Sequence, residues 1–136
     1  MIQRRLITFG LGLVVTLGFC QPSQAIMQFQ KEFVNLYVGA DKDSDYAKLV
    51  KSAGCFCCHQ GKKRKNGNAY GAQLAELLDK RADAKKPAKI VEALKKVAEM
   101  HSVAGDDKSP TFGALIAEGK LPGGSVEDSK KEPAAN

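Results

Sequence analysis

Cys55, Cys58 and His59 stand in the spacing Cys-x-x-Cys-His, inside the run Cys55-Phe56-Cys57-Cys58-His59. Two thiols three residues apart on a tight helical turn can each bond a vinyl group at the edge of a haem. The imidazole that follows then lies beneath the iron as its proximal ligand. The chemistry implied is covalent attachment of one c-type haem, on Cys55 and Cys58 with His59 on the iron, and its use is electron transfer.

Two other chemistries use the same residue types. Cys55, Cys57, Cys58 and His59 are the donor set of a structural zinc site, but four ligands within five residues fit a tetrahedron poorly, and no second pair of donors follows farther along the chain. A Cys-x-x-Cys dithiol enzyme places its motif at the start of a helix after a strand, and no convincing alternating strand is found here. Both rank well below haem attachment. An acid–base constellation that would support catalysis is also missing from the sequence, so the expectation is an electron-transfer protein and not an enzyme.

Haem is bonded to such motifs outside the cytoplasm, and the start of the chain has the form of an export signal. Arg4 and Arg5 precede an apolar run from Leu6 to Phe19, and a polar stretch ends in the small residues Ser23-Gln24-Ala25. This predicts a secretory signal over residues 1–25, cleaved after Ala25. The apolar run, about 14 residues, is shorter than the roughly 20 that a permanent spanning helix needs, so no transmembrane anchor is expected after cleavage. Cys20 offers lipid anchoring as a lesser alternative, disfavoured because bulky Phe19 stands where such processing takes a small residue. The expected location is the periplasm.

Cleavage leaves 111 of the 136 residues, enough for one domain with a modest core that a buried haem would enlarge. Without Arg4 and Arg5, 19 basic residues face 15 acidic ones, a net charge of +4 that is too small to argue for nucleic acid. The cysteines, one at position 20 and three between 55 and 58, are not the dispersed set of a disulfide scaffold.

Helical elements must position the motif. Phe29, Phe33, Leu36 and Tyr37 recur at helical spacing and are closed off by Gly39 and the Asp41 to Asp45 turn region. Tyr46, Leu49, Val50 and Ala53 mark a second helix, capped near Ser44 and released at Gly54 directly before the cysteines. Gln60 to Asn68 reads as loop. Tyr70, Leu74, Leu77 and Leu78 resume the period, and Pro87 opens the strongest helix, with Ile90, Val91, Leu94, Val97 and Ala98 on one face and an expected end near His101 or Ser102. Ser109 as N-cap and Pro110 at the first position start a last short helix through Phe112, Leu115 and Ile116, ending at Gly119. Residues 26–122 form the expected domain. The small, polar and charged residues 123–136 are expected to be a disordered tail.

The export signal, the size, and the helix running into Cys-x-x-Cys-His resemble the small single-haem class I c-type cytochromes. Cys-His-Gln-Gly-Lys-Lys at 58–63, Asn68-Ala69-Tyr70-Gly71, Thr111-Phe112-Gly113 and Gly119-Lys120-Leu121-Pro122 extend the likeness to compact secreted members, over roughly Asp43 to Pro122. The resemblance implies an all-α fold of four to five short helices around the haem, and a sixth iron ligand from a methionine well after the motif. Met100 is the one methionine in that position. At about 100° per residue, however, Met100 falls about 120° from the centre of the apolar face of its helix and His101 within about 20° of it. An unbroken helix therefore points His101 inward, and a helix ending at residue 98 or 99 reverses the order. A methionine ligand raises the reduction potential relative to a second histidine, and an open position admits a small gas, which keeps a gas-binding or sensing haem protein, or a haem subunit of a larger redox complex, as the alternative function.

Two features remain. Cys57 is an unpaired thiol once Cys55 and Cys58 hold haem, read either as a shielded, tolerated thiol or as a cross-link to a second chain in a dimer. Lys62-Lys63-Arg64-Lys65 follows the motif closely and reads either as a solvated loop or as a surface that steers an acidic redox protein toward the haem edge.

Overall fold

The computed structural model describes residues 24–133 of the chain, so the expected leader lies almost wholly outside the described residues. Six helices, α1 (Gln24–Tyr37), α2 (Asp45–Ala53), α3 (Ala69–Leu77), α4 (Pro87–Ala98), α5 (Phe112–Ala117) and α6 (Val126–Ser129), occur among them. Between α2 and α3 lie a 3-10 turn over Gly54–Cys57 and two short strands, β1 (His59–Gln60) and β2 (Asn66–Gly67). The strands pair antiparallel in the register His59 to Gly67 and Gln60 to Asn66. The all-α expectation thus holds only in a coarser form, a helical chain that carries a small two-stranded sheet in the stretch read as loop. That ribbon could not be seen as alternation because each strand is only two residues long.

Helix α4 is the central element. Ile90, Ala93, Leu94 and Val97 are buried along one stripe, while Glu92, Lys95 and Lys96 face solvent. Phe33 of α1, Val50 and Ala53 of α2, Tyr70 and Leu74 of α3, and Phe112 and Ile116 of α5 close the same core. Each large side chain so buried contributes about 1.5–3 kcal/mol relative to exposure. Edge-on aromatic contacts run from Tyr37 to Phe33 (5.1 Å), from Phe33 to Tyr70 (6.0 Å) and from Tyr70 to Phe112 (5.2 Å), linking α1, α3 and α5. Tyr37 Oη donates to the Leu94 carbonyl at 3.0 Å and fixes α1 on α4. Ahead of α4, the buried Asp83 carboxylate accepts from Lys86 Nζ at 3.1 Å, Lys89 Nζ at 2.6 Å and the Asp79 amide at 2.9 Å, which ties the preceding loop to the helix.

Three boundaries differ from expectation. Helix α4 ends at Ala98, not near His101, because the Met100 carbonyl accepts from Phe112 N (3.0 Å) and His101 bridges to Thr111. The N-cap of α5 is Thr111, whose side chain accepts from Ala114 N; Ser109, the expected cap, instead accepts from Val103 N and donates to the Asp106 carbonyl within the preceding loop. Within the expected disordered tail, α6 is capped by Ser125 and packs on the 3-10 turn and β1, with Ser129 O accepting from Gly61 N at 2.9 Å. Tertiary contacts supply what the polar composition of that segment lacks. Among the described residues no helix is long and apolar enough to cross a membrane.

Candidate functional site

The cysteines sit where α2 is forced to end. Ser44 caps the start of α2 by accepting from Ala47 N, and Gly54 ends it with φ 53°, a left-handed value that glycine takes without strain, while its amide donates to Val50 O. The chain then tightens into the 3-10 turn, Cys58 N donates to Cys55 O at 3.3 Å, and His59 leaves on β1. Cys55, Cys57 and Cys58 are all free thiols.

Their surroundings differ. Cys55 is half-buried, and its Sγ accepts from Arg64 Nη1 at 3.5 Å; Arg64 itself takes a left-handed φ of 52° in the β1–β2 connection. Cys57 is 3 % exposed and turns inward, its thiol donating to Val50 O at 3.8 Å. Of the two readings of Cys57, this burial agrees with the shielded thiol and disfavours a cross-linked dimer, since the thiol lies inside the core. Burial pushes the Cys57 thiol up to about 11, with Cys55 adding to the effect. Burial likewise pushes Cys58 up to about 12, with Cys57 and then Cys55 reinforcing it. A dithiol oxidoreductase depends on the opposite shift, toward the thiolate. Among the described residues no group of three or more His, Cys, Asp or Glu side chains is arranged to hold a metal ion.

A residue quoted in the sequence only as part of a pattern proves central to this turn. Asn68, 4 % exposed, donates from Nδ2 to Phe56 O (3.0 Å) and Cys57 O (3.3 Å), its backbone amide donates to Cys58 O (3.0 Å), and its Oδ1 accepts from Gly71 N (3.0 Å). Its residue type directly before α3 is the signal that could have marked it as the N-cap, in place of the end of a loop. The contacts back to residues 56–58 carry no such signal, because no sequence periodicity links them.

Four buried side-chain polar atoms among the described residues have no hydrogen-bond partner: Tyr46 Oη, His59 Nδ1, Tyr70 Oη and Ser129 Oγ. They come from α2, β1, α3 and α6, the elements that flank or contact the cysteine turn. Burial pushes the pKa of both phenols up and so keeps them protonated, with Cys57 and Cys58 adding to this at Tyr46 and Cys58 at Tyr70. An unpartnered buried polar group costs about 1–3 kcal/mol, so their concentration here marks the region where a further polar partner would be most stabilising.

Beside the turn lies a groove of ≈ 670 Å³ lined by Leu49 and Ser52 of α2, Leu115 of α5, and Leu121 and Val126, with Lys120 and Lys130 also on its wall. Leu49 and Ser52 lie on the helical face that continues into Cys55. The lining is mainly apolar, with Lys120, Glu127 and Lys130 charged, and neither Cys55, Cys58 and His59 nor the four orphaned polar atoms line it. The candidates for the distal iron position are not brought to this groove. His101 is exposed and donates from Nδ1 to Ser109 O at 2.5 Å, while Met100 is half-buried against the core. The inward phase expected for His101 is therefore corrected, for the reason that α4 stops at Ala98.

No protein-family model matches the chain, and no curated protein or solved structure matches it either.

Proposed function

We propose that this chain is an exported electron carrier of class I cytochrome c-like build, with one haem bonded to Cys55 and Cys58 and His59 as its proximal iron ligand. The observation that carries the reading is the turn at the end of α2. It leaves two free thiols three residues apart, followed at once by an imidazole, at the end of the helix whose Leu49 and Ser52 wall a groove of ≈ 670 Å³. In this reading Cys55 and Cys58 would hold the group through thioethers, each Sγ–H adding across a vinyl group with no oxidant consumed. His59 supplies the proximal nitrogen. Leu49, Leu115, Leu121 and Val126 would screen such a group from water, and Lys120, Glu127 and Lys130 would leave part of the same wall polar. The group held there would supply a one-electron iron couple.

The exposed Lys62, Lys63, Arg64 and Lys65 lie on the connection between β1 and β2, within a few residues of the motif. They suit the approach of an acidic surface on a redox protein in the periplasm, with an on-rate that falls as salt rises.

One observation favours the second reading, a haem that binds a small gas. Among the described residues, neither Met100 nor His101 nor any other methionine or histidine lines the groove.

The test is expression of the full chain in a cell competent for haem attachment, followed by oxidised and reduced spectra and a pyridine haemochrome assay after acid extraction. A c-type spectrum that survives extraction supports the reading, and His59→Ala should then lose the wild-type spectrum and potential. A chain without bound haem refutes it. Carbon monoxide binding to the reduced protein separates carrier from gas binder, since a strongly ligated iron resists it.

A further inference from the structure

Asn68 makes contacts that a helix cap does not need. The N-cap role for α3 uses only its Oδ1, which accepts from Gly71 N. The two N–H donors of the same carboxamide point the other way, one to Phe56 O and one to Cys57 O, across 12 and 11 residues of sequence. The backbone amide of Asn68 takes the next carbonyl, Cys58 O. Three consecutive carbonyls at the end of the 3-10 turn, which have no partners inside that turn, are thus held by one residue. The reverse carboxamide orientation would set an oxygen against two carbonyls, so the three side-chain bonds also fix which way the group faces.

The surroundings leave this residue no freedom. Gly123 approaches so closely that a Cβ there would overlap the Asn68 carboxamide, 2.6 Å from Oδ1 even at the third-nearest atom. Gly71 approaches the Cys58 carbonyl just as closely, with a Cβ overlapping its oxygen and 2.8 Å from its carbon. Both glycines have ordinary backbone angles, so their smallness serves close approach and not a special turn.

We infer that Asn68 is the positioning residue of the cysteine–histidine turn. Its clamp ends the 3-10 turn at Cys57 and sends His59 into β1, which sets the relative presentation of the Cys55 and Cys58 thiols and the His59 imidazole. The consequence for haem rests on the function proposed above; the clamp itself does not.

Asn68→Asp and Asn68→Ser make the test, because both keep a side-chain oxygen able to cap α3 while removing the donors to Phe56 O and Cys57 O. In the full chain expressed with attachment machinery, both variants should keep wild-type helix content. They should lose haem per chain about tenfold, and the fraction that does load should show a displaced midpoint potential and an altered visible spectrum. Wild-type loading, spectrum and potential in Asn68→Ser would overturn the inference. The haem-free chain gives an independent readout by hydrogen exchange. The amides of Cys58 and of residue 68 should exchange about tenfold faster in both variants, while the amides of Glu76 and Leu77 in α3 keep wild-type protection. If wild type takes no haem at all, the proposed function fails, and the exchange result alone upholds the clamp or, if unchanged from wild type, sinks it.

Discussion

Gly71→Ala tests the closest backbone approach at the site, and its outcome follows from two opposed effects. Gly71 is the third residue of α3 and has no left-handed φ, so alanine should be favoured there by about 0.5–1 kcal/mol on helical propensity alone. Against this, the added Cβ would overlap the Cys58 carbonyl oxygen and lie 2.8 Å from its carbon and 3.2 Å from its Cα. That carbonyl cannot swing aside, because it accepts from Asn68 N at 3.0 Å and belongs to a turn whose preceding carbonyls are also bonded to Asn68. The start of α3 must retreat instead, which strains the packing by about 1–3 kcal/mol and weakens hydrogen bonds of about 1 kcal/mol each. The net expectation is a loss of about 2–3 kcal/mol, or a fall in Tm of about 10–15 °C for a domain of this size. Urea unfolding of the haem-free chain followed by circular dichroism measures it. Gly105→Ala is the comparator: its φ is 78° with nothing within 4 Å of the added carbon, so it should lose only the left-handed penalty of about 1–2 kcal/mol. A Gly71→Ala chain as stable as wild type, or more stable, would refute the packing of α3 against the motif.

Three further outcomes are expected. Cys57→Ala should lower stability by about 1 kcal/mol and leave haem attachment intact, and in the folded haem-free chain Cys57 should be alkylated far more slowly than Cys55; a disulfide-linked dimer that disappears in Cys57→Ala would contradict its burial. Asp83 is held well below the usual carboxylate range, by Lys89 first and then by the Asp79 amide, so its contribution is present above about pH 4 and is lost as pH falls through the lowered folded value. Asp83→Asn should therefore be less stable than wild type near neutrality, with a gap that narrows on acidification; a gap that is constant with pH counts against the ion pairs. Deleting residues 125–136 removes the Ser129 carbonyl that accepts from Gly61 N and the Glu132 carboxylate that accepts from Lys62 N, so the Gly61 and Lys62 amides should lose protection while α4 keeps its own, and unchanged exchange there would show that α6 does not brace the hairpin.

What the sequence revealed and what it hid divide along one physical line. The phase of α4 was legible because burial of Ile90, Leu94 and Val97 and exposure of Glu92 and Lys95 repeat with the helical period. The Ser44 cap and the Gly54 release were legible because each depends on a residue's own side chain or its own φ. The spacing of Cys55, Cys58 and His59 on one turn was legible because these residues are neighbours in the chain. The end of α4 was not, since it is set by the bond from Phe112 N to Met100 O and by the bridge between His101 and Thr111. The shift of the α5 cap from Ser109 to Thr111 was not legible either, since Ser109 is engaged by Val103 N within the preceding loop.

The same line runs through the site itself, and it bears on how the turn is built. A 3-10 turn of four residues satisfies few of its own carbonyls, and the sequence from Gly54 to Cys57 contains no side chain that could cap them. The partners have to arrive from elsewhere in the fold, here from Asn68, whose position is in turn fixed by Gly71 on one side and Gly123 on the other. Gly123 leads into α6, and α6 and the residues after it bond back to the hairpin through Ser129 and Glu132. The motif is thus held at its far end by residues that lie up to 70 positions away along the chain. A change in the C-terminal segment should consequently alter the thiols and the imidazole even though it touches none of them, and the spectrum of a haem-loaded Gly123→Ala chain, compared with wild type, would register it.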